Sequence, residues 1–373
     1  MSSQPKRKIA ILGAGLLGRL LAWQLHEHAH IDLYDQDLGN ADESAAFLAA
    51  AMLAPMAESA ESGRGIMHLG QLALRLWPKL LAGLPEPVFF QQNGSLVLAF
   101  AADRSHFDTL RGQLKGNAPE DYQTLDAAAI LKLEPELNAR FAHGLFLPNE
   151  GQLDNRQLLR VLAGALRSRS QVQWHTSAYA QLEDQQLLVN GEPVLEHDWV
   201  IDCRGIGAKE TQADLRGVRG EVIRVRAPAV NLNRPVRLVH PRYPLYIAPK
   251  PEHTFVIGAT QIESEDRRAP TVRSALELLS ACFSVHSGFA EAEILEIRSG
   301  LRPAYRNNHP QMRVKGRVIS LNGLFRHGYL LSPVMVDLCR SFLLQQPIDG
   351  RYLAAMPSLL LVEPEPLAKE RVG

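Results

Sequence analysis

Cysteine is scarce in this chain. Its 373 residues hold three, Cys203, Cys282 and Cys339, far apart and in no metal or redox spacing. That excludes a disulfide framework and a zinc knuckle alike. Scattered free thiols suit a reducing cytoplasm, the compartment expected here. Excess charge is also missing. Lys+Arg and Asp+Glu both total 40, so no net field recruits nucleic acid or an anionic membrane. No apolar run is long enough to span a bilayer, and no membrane insertion is expected. The first seven residues are polar and glycines break the apolar run behind them, which reads as a first strand and not a signal peptide. No Ser-His-Asp, Cys-His or paired-carboxylate arrangement stands out, and no internal repeat or low-complexity linker is visible.

The length is a soft prior for two domains, and a composition 46% hydrophobic and 21% charged is ordinary for a globular enzyme. The informative stretch is KIAILGAGLLGRLLAWQL, Lys8 to Leu25. Ile9, Ile11 and Leu12 read as a buried parallel strand. The chain then turns at Gly13-Ala14-Gly15 and enters a helix. Gly13, Gly15 and Gly18 form GxGxxG between strand and helix, the context in which that motif binds a dinucleotide. Gly13 serves the tight turn, Gly15 the approach of a pyrophosphate, and Gly18 the packing of helix on sheet. The helix N-terminus offers free N–H groups and a positive dipole end to the phosphates. A second strand runs from Ile31 to Asp35, and this acid stands where a carboxylate would bind the ribose hydroxyls of an adenosine. It would repel a 2′-phosphate, which argues against NADP.

Further along, residues 36–62 are small and alanine-rich. Composition leaves open an alanine-rich helix or a backbone passing close to something flat and large. Helical spacing continues through Leu69, Leu72, Leu76 and Leu80 until Pro85 and Pro87. A strand is expected over 94–100, a helical pair over 107–114 and 126–131, a loop over 146–154 and an amphipathic helix over 155–168. Strands are expected over 172–188 and 198–203, the second ending at Gly205, where a backbone could again approach a phosphate. GEVIRVRAP, VRLVHP, LYIAP and TFVIGAT then predict an antiparallel sheet. A helix over 271–285 and a strand over 291–301 lead into Gly300-Leu301-Arg302-Pro303. A strand over 317–321, a glycine-bearing loop over 323–328 and a helix over 333–344 close the chain. A strand-rich insert between parallel-sheet segments implies interleaved domains.

Two arginines sit in apolar surroundings, Arg302 in GLRP and Arg326 in GLFRHGYLLSP. Such a residue is costly unless an anion meets it, and a guanidinium fork suits a carboxylate. The alternative for each is a structural ion pair. Tyr246 could add a phenol to the same carboxylate or simply pack as a core aromatic. His26, His28 and His30 alternate in HEHAH at the far end of the first helix, away from the glycine turn, and read as a solvated connection; no metal is expected.

Taken together, GAGLLG, Asp35, AAAMLAP, DNRQLLRVL, LYIAPK, FVIGAT, GLRP and GLFRHGYLLSP resemble the D-amino acid oxidase family of flavoproteins, and within it the glycine oxidases of thiamine biosynthesis. The resemblance covers nearly the whole chain. It implies an α/β fold with a Rossmann-like FAD-binding domain (1–82, 145–217 and 303–373) and an α+β substrate domain on an antiparallel sheet (83–144 and 218–302). It implies that Arg302 binds the substrate carboxylate, assisted by Tyr246, with Arg326 and Met52 at the same pocket. For the cofactor it implies Gly13, Ala14, Gly15, Leu16, Leu17, Gly18, Asp35 and Gln36 at the nucleotide end. Ser44, Ala45, Ala51, Met52 and Leu53 would line the flavin, and Tyr179, Cys203 and Gly205 would close the nucleotide side. Arg302 and the loop Arg326, His327, Gly328, Tyr329 and Leu330 would meet the isoalloxazine. With no cysteine near GLRP, the implied FAD is non-covalent. The implied reaction is oxidative deamination of a small amino acid or amine with dioxygen as acceptor. Relatives of this kind are often homo-oligomers.

Three departures are visible: Ala51 where a glycine usually precedes the methionine, His327 where Asn often stands, and Ala304-Tyr305 after GLRP. A dehydrogenase using a quinone or carrier, or a flavin-binding module without catalysis, fits the same motifs. NAD would explain Gly13 to Asp35 but not the closing arginine loop.

Overall fold

The computed structural model describes residues 6–117, 122–239 and 245–363. Strand β1 (Arg7–Leu12), helix α1 (Leu16–Leu25) and strand β2 (Ala29–Tyr34) form the opening unit. From Ile9 on, β1 is apolar because the sheet is covered on both faces, while β2 carries a buried acid, Asp32, paired with His175 and His197. Both strands lie inside a seven-stranded sheet whose order is Leu360–Val362, Gln311–Lys315, Val318–Asn322, Trp199–Asp202, β1, β2 and Val172–His175. All pairs are parallel except Gln311–Lys315 on Val318–Asn322. The apolar faces of α1, of the helix Asn155–Arg167 and of the helix Gly328–Leu343 pack here, in one core with Leu20, Leu162 and Leu338.

A second sheet has eight strands, in the order Glu293–Ala304, Arg216–Arg226, Thr254–Gly258, Leu245–Lys250, Val236–Leu238, Ser95–Phe100, Phe141–Leu147 and Gln123–Asp126. It is antiparallel apart from Val236–Leu238 on Ser95–Phe100. Its own core includes Leu96, Ile223, Ile247 and Leu278, the last from the helix Val272–Val285. The fold is therefore α/β with a parallel and an antiparallel sheet, as expected.

Between β2 and the second sheet, the alanine-rich stretch forms a short helix α2 (Ala45–Leu48), a two-residue strand β3 (Met52–Leu53) and a long helix α3 (Pro55–Ala82). Pro55 starts α3 where its missing N–H costs nothing, and Gly63, at φ 79°, breaks the helix two turns in.

Several expectations need correction. The segment 172–188 is not one strand: after His175 the chain enters a small meander, Ala180–Glu183, Gln186–Val189 and Glu192–Val194. The loop over 146–154 holds a strand, Gly151–Leu153, pinned between β3 and Phe90–Gln91. GLRP is not a turn after a strand; Arg302 and Pro303 pair with Val218 and Gly217 inside the edge strand. Pro303 is tolerated there because an edge strand can spare a donor. The last long helix begins at Gly328, five residues before Pro333. His240 and Pro241, part of the VRLVHP run, lie outside the described residues. No helix among the described residues is long and apolar enough to cross a membrane.

Candidate active site

In a parallel sheet, strand carboxyl ends carry the ligand, because helix N-termini and chain turns converge there. Here β1 delivers Gly13, β2 delivers Asp35, and Trp199–Asp202 delivers Cys203 and Gly205 to one cavity of about 960 Å³, near the upper end of usual ligand pockets. The far wall comes from the second sheet, with Tyr246, Gly300 and Arg302. The closing loop Arg326 to Leu330 and the α2–β3 segment complete it.

The glycine turn has the form a pyrophosphate needs. Gly13 has φ +91°, and a Cβ there would lie 2.9 Å from the Arg204 backbone. A Cβ on Gly18 would run into the Gly13 carbonyl. At Gly15 the nearest atom to a Cβ is Ser44 Cβ at 4.0 Å, so Gly15 borders open cavity. Arg19, buried in α1, locks the turn by donating to the carbonyls of Ala14 (2.6 Å), Leu159 (2.7 Å) and Gly39 (2.8 Å). Asp35 accepts from the N–H of Ala14 and of Asp37 (3.0 Å) and faces the cavity. Burial raises its pKa, with the backbone bonds from Asp37 and Ala14 opposing. These residues fit the adenosine diphosphate portion of FAD.

Nearly all residues singled out from sequence line this cavity. At the nucleotide end these are Gly13, Gly15, Leu16, Leu17, Asp35, Gln36, Tyr179, Cys203 and Gly205. Ser44, Ala45, Ala51, Met52 and Tyr246 follow, with Arg302, Arg326, His327, Gly328, Tyr329 and Leu330. Ala14, Gly18 and Leu53 do not. Ala14 and Leu53 are fully buried and pack into the core under the turn, and Gly18 faces the Gly13 carbonyl. Ala51 adopts φ 51°, a left-handed conformation that favours glycine and costs another residue about 1–2 kcal/mol. Tyr305 is absent from the wall; it is buried and donates to Gln212 Oε1 at 2.5 Å. Burial pushes the Cys203 thiol well up, which keeps it un-ionised. His26 is buried and its Nδ1 lies 2.6 Å from the Trp23 carbonyl, while His28 and His30 are exposed.

The two arginines part company. Arg326 is ion-paired, its Nε 2.7 Å from Glu58 and its Nη1 2.5 Å from Glu61. Arg302 has no carboxylate within ion-pair distance among the described residues. Its Nη1 and Nη2 each donate to the Thr260 carbonyl at 3.2 Å. Burial lowers its pKa, with Arg326 acting in the same direction and Tyr246 and Glu58 opposing. The side chain crosses the neighbouring strand at Gly220, where a Cβ would collide with the guanidinium. The Tyr246 hydroxyl is close enough to Gly258 that a Cβ there would lie 2.6 Å from it. Arg302 is thus a half-buried cation that faces a cavity and has no anionic partner among the described residues.

Two residues at this wall escaped the sequence. Glu58, in the first turn of α3, is buried and pairs with Arg237 at 2.8 Å as well as with Arg326. Burial alone would raise its pKa, but Arg326 and Arg237 hold it down at about 2. Arg237 lies inside an apolar strand run, VRLV, and a charge in that setting was the available signal. His327 is buried with Nε2 3.0 Å from Ser62 Oγ, and burial pushes its pKa down to about 4, so it is neutral at pH 7.

The family described as FAD dependent oxidoreductase (DAO) matches residues 8–339. Over 340 residues the chain is 38% identical to a putative thiamine biosynthesis oxidoreductase ThiO of Rhizobium etli, covering 91% of this chain and 97% of the relative. It is 23% identical to a glycine oxidase of Bacillus licheniformis, covering 92% and 95%. Two solved structures share the fold at TM-score 0.79. One is a glycine oxidase from Geobacillus kaustophilus, 22% identical, covering 95% of this chain and 99% of that one. The other is an iminodiacetate oxidase from Chelativorans sp. BNC1, 26% identical, covering 95% and 100%. The chain belongs to the DAO family of FAD-dependent oxidoreductases: it is an FAD enzyme that oxidises amino acids or amines.

Proposed function

We propose that this enzyme oxidises the α-carbon–nitrogen bond of a small amino acid bearing one carboxylate, in the manner of a glycine oxidase, and uses dioxygen as the final acceptor. The observation that carries this reading is Arg302, a guanidinium with no acidic partner among the described residues, on the wall of the cavity that holds the glycine turn. The similarity to a thiamine biosynthesis oxidoreductase and to glycine oxidases supports the same substrate class. The parallel sheet with its helices serves as the FAD domain and the eight-stranded sheet as the substrate domain.

FAD held at Gly13, Gly15 and Asp35 would supply the redox chemistry, acceptance of a hydride from the substrate α-carbon and passage of two electrons to dioxygen to give hydrogen peroxide. The chain's own residues bind and orient. Arg302 grips the carboxylate, and Tyr246 donates its hydroxyl to the same group. The Tyr246 phenol stays protonated, because burial raises its pKa. Met52 and the closing loop, from Arg326 to Leu330, border the space left for the reacting carbon. Fixing the substrate in this way can contribute several kcal/mol, on the scale of about 7–11 for ideal orientation. The resulting imine is hydrolysed by water to an oxo acid and ammonia. Burial keeps the Cys203 thiol un-ionised and Cys282 and Cys339 lie off the cavity wall, which supports FAD held without a cysteinyl bond.

The test is an anaerobic panel of glycine, sarcosine and small D-amino acids, watching bleaching of the flavin, followed by admission of air. Bleaching that air reverses, with one equivalent of peroxide, supports the reading. Bleaching that persists in air and yields to an added quinone replaces dioxygen with a carrier. A flavin that no amine reduces removes the enzymatic reading.

A further inference from the structure

The wall around Arg302 holds more positive charge than one carboxylate needs. Arg237, Arg302 and Arg326 all reach the cavity, and the charged groups acting on Tyr246 are these three and Glu58. Three guanidiniums at one end of a pocket would favour a ligand with two or three anionic groups. Glu58 alters that balance. Its Oε1 accepts from Arg237 Nη2 at 2.8 Å, and its Oε2 lies 2.7 Å from Arg326 Nε. Arg326 has a second acid, Glu61. Among the described residues, Arg237 has no ion-pair partner but Glu58, with the Glu150 carboxyl acting on it from further off. Arg237 Nε is also buried with no hydrogen-bond partner, a donor already short of acceptors.

We propose that Glu58 sets the charge selectivity of this pocket. By neutralising Arg237 and sharing Arg326, it leaves Arg302 as the single carboxylate anchor and excludes substrates with a second carboxylate. The exclusion is both occupancy and repulsion: the place a second carboxylate would take at Arg237 is filled by an internal one. α3 brings Glu58 there, because the helix starts at Pro55 and points its first turn at Arg237 and the closing loop. The inference rests on carboxylate binding at Arg302.

Methoxyacetate and diglycolate test it. They are the ether analogues of sarcosine and iminodiacetate, have no nitrogen to form the imine when a hydride leaves the α-carbon, and differ by one carboxylate. Their binding is read from the perturbation of the flavin absorption in the holoenzyme. The native enzyme is expected to prefer methoxyacetate. Glu58→Gln should shift the ratio towards diglycolate by about tenfold or more, the scale of one added charge-assisted contact. In the double variant Glu58→Gln/Arg237→Gln the preference should return to methoxyacetate. A native enzyme that binds diglycolate as tightly as methoxyacetate overturns the proposal, and this arm needs no variant to fold. A Glu58→Gln protein with lowered thermal stability and an unchanged ratio also overturns it, since that is what a purely structural ion pair predicts. A diglycolate preference that survives in the double variant removes Arg237 from the account. If Arg302→Ala leaves methoxyacetate binding intact, the carboxylate reading itself fails. If that variant loses binding while Glu58→Gln keeps the native ratio, only the selectivity role falls.

Discussion

Replacing Arg302 by alanine separates a binding role from a structural one, and the structure sets the expected size. The guanidinium donates only to backbone carbonyls, chiefly Thr260 at 3.2 Å, and has no carboxylate partner among the described residues. Its desolvation in the free protein is therefore poorly compensated, and its removal should leave thermal stability unchanged or slightly raised, as at other sites where function opposes stability. On the proposed reading, the substrate carboxylate is its partner. Removing one member of a buried charge pair costs about 2–5 kcal/mol, so kcat/KM should fall roughly 30- to 4,000-fold, mainly through KM. Arg302→Lys should recover part of this, since an ammonium cannot reproduce the fork. Gly220→Ala should mimic the loss from a different position, because its Cβ would occupy the place of the guanidinium. Steady-state kinetics, FAD content and a thermal melt on one preparation decide the matter. A destabilised Arg302→Ala protein with normal KM would refute the reasoning and leave Arg302 a structural role through its backbone hydrogen bonds.

Other consequences follow from the same geometry. Gly15→Val should fold but purify colourless, since its Cβ comes within 4.0 Å of Ser44 alone and its side chain enters the pyrophosphate approach; a yellow variant with full FAD would sink the cradle. Asp35→Ala should weaken FAD by about 1–3 kcal/mol in a titration of apoprotein, and an unchanged affinity would move the ribose contact elsewhere. Glu150, buried beneath α3 and accepting from Ala57 N–H at 2.8 Å, has its pKa pushed up to about 7 by burial. A raised carboxyl pKa contributes stability that is full below the unfolded value, 4.5, and is lost as pH rises through about 7. Relative to Glu150→Gln, the native protein should therefore lose stability between those pH values, and parallel denaturation curves across that range would contradict it.

Much of the nucleotide end was legible along the chain. Gly13, Gly15, Gly18 and Asp35 act through backbone conformation and through positions at strand ends, and both are set within some 25 consecutive residues. The alternation of the runs after Gly220 likewise announced a second sheet. Legibility faded where pairing depends on distant segments. The 172–188 stretch has strand-like composition throughout, yet only its first four residues join β2; the rest turns back on itself. The GLRP proline suggested a turn, and only the edge position of its strand makes proline compatible with extended pairing there. Ala51 looked like a mere departure until its left-handed backbone showed why a glycine suits the site.

The sequence by itself set out β1, α1 and β2 as a unit that fits a dinucleotide, announced a second sheet, and marked Arg302 and Arg326 as the cations to ask about. Tertiary structure alone decided which of the two is available. Residues 58, 237, 302 and 326 reach one cavity because α3, the strand Val236–Leu238, the edge strand and the closing loop converge there, with residue 61 paired to 326 beside it. Whether a buried guanidinium is satisfied depends on the carboxylates within a few ångströms of it, and Coulomb energy in a low-dielectric pocket is a function of distance in space, to which sequence separation gives no guide.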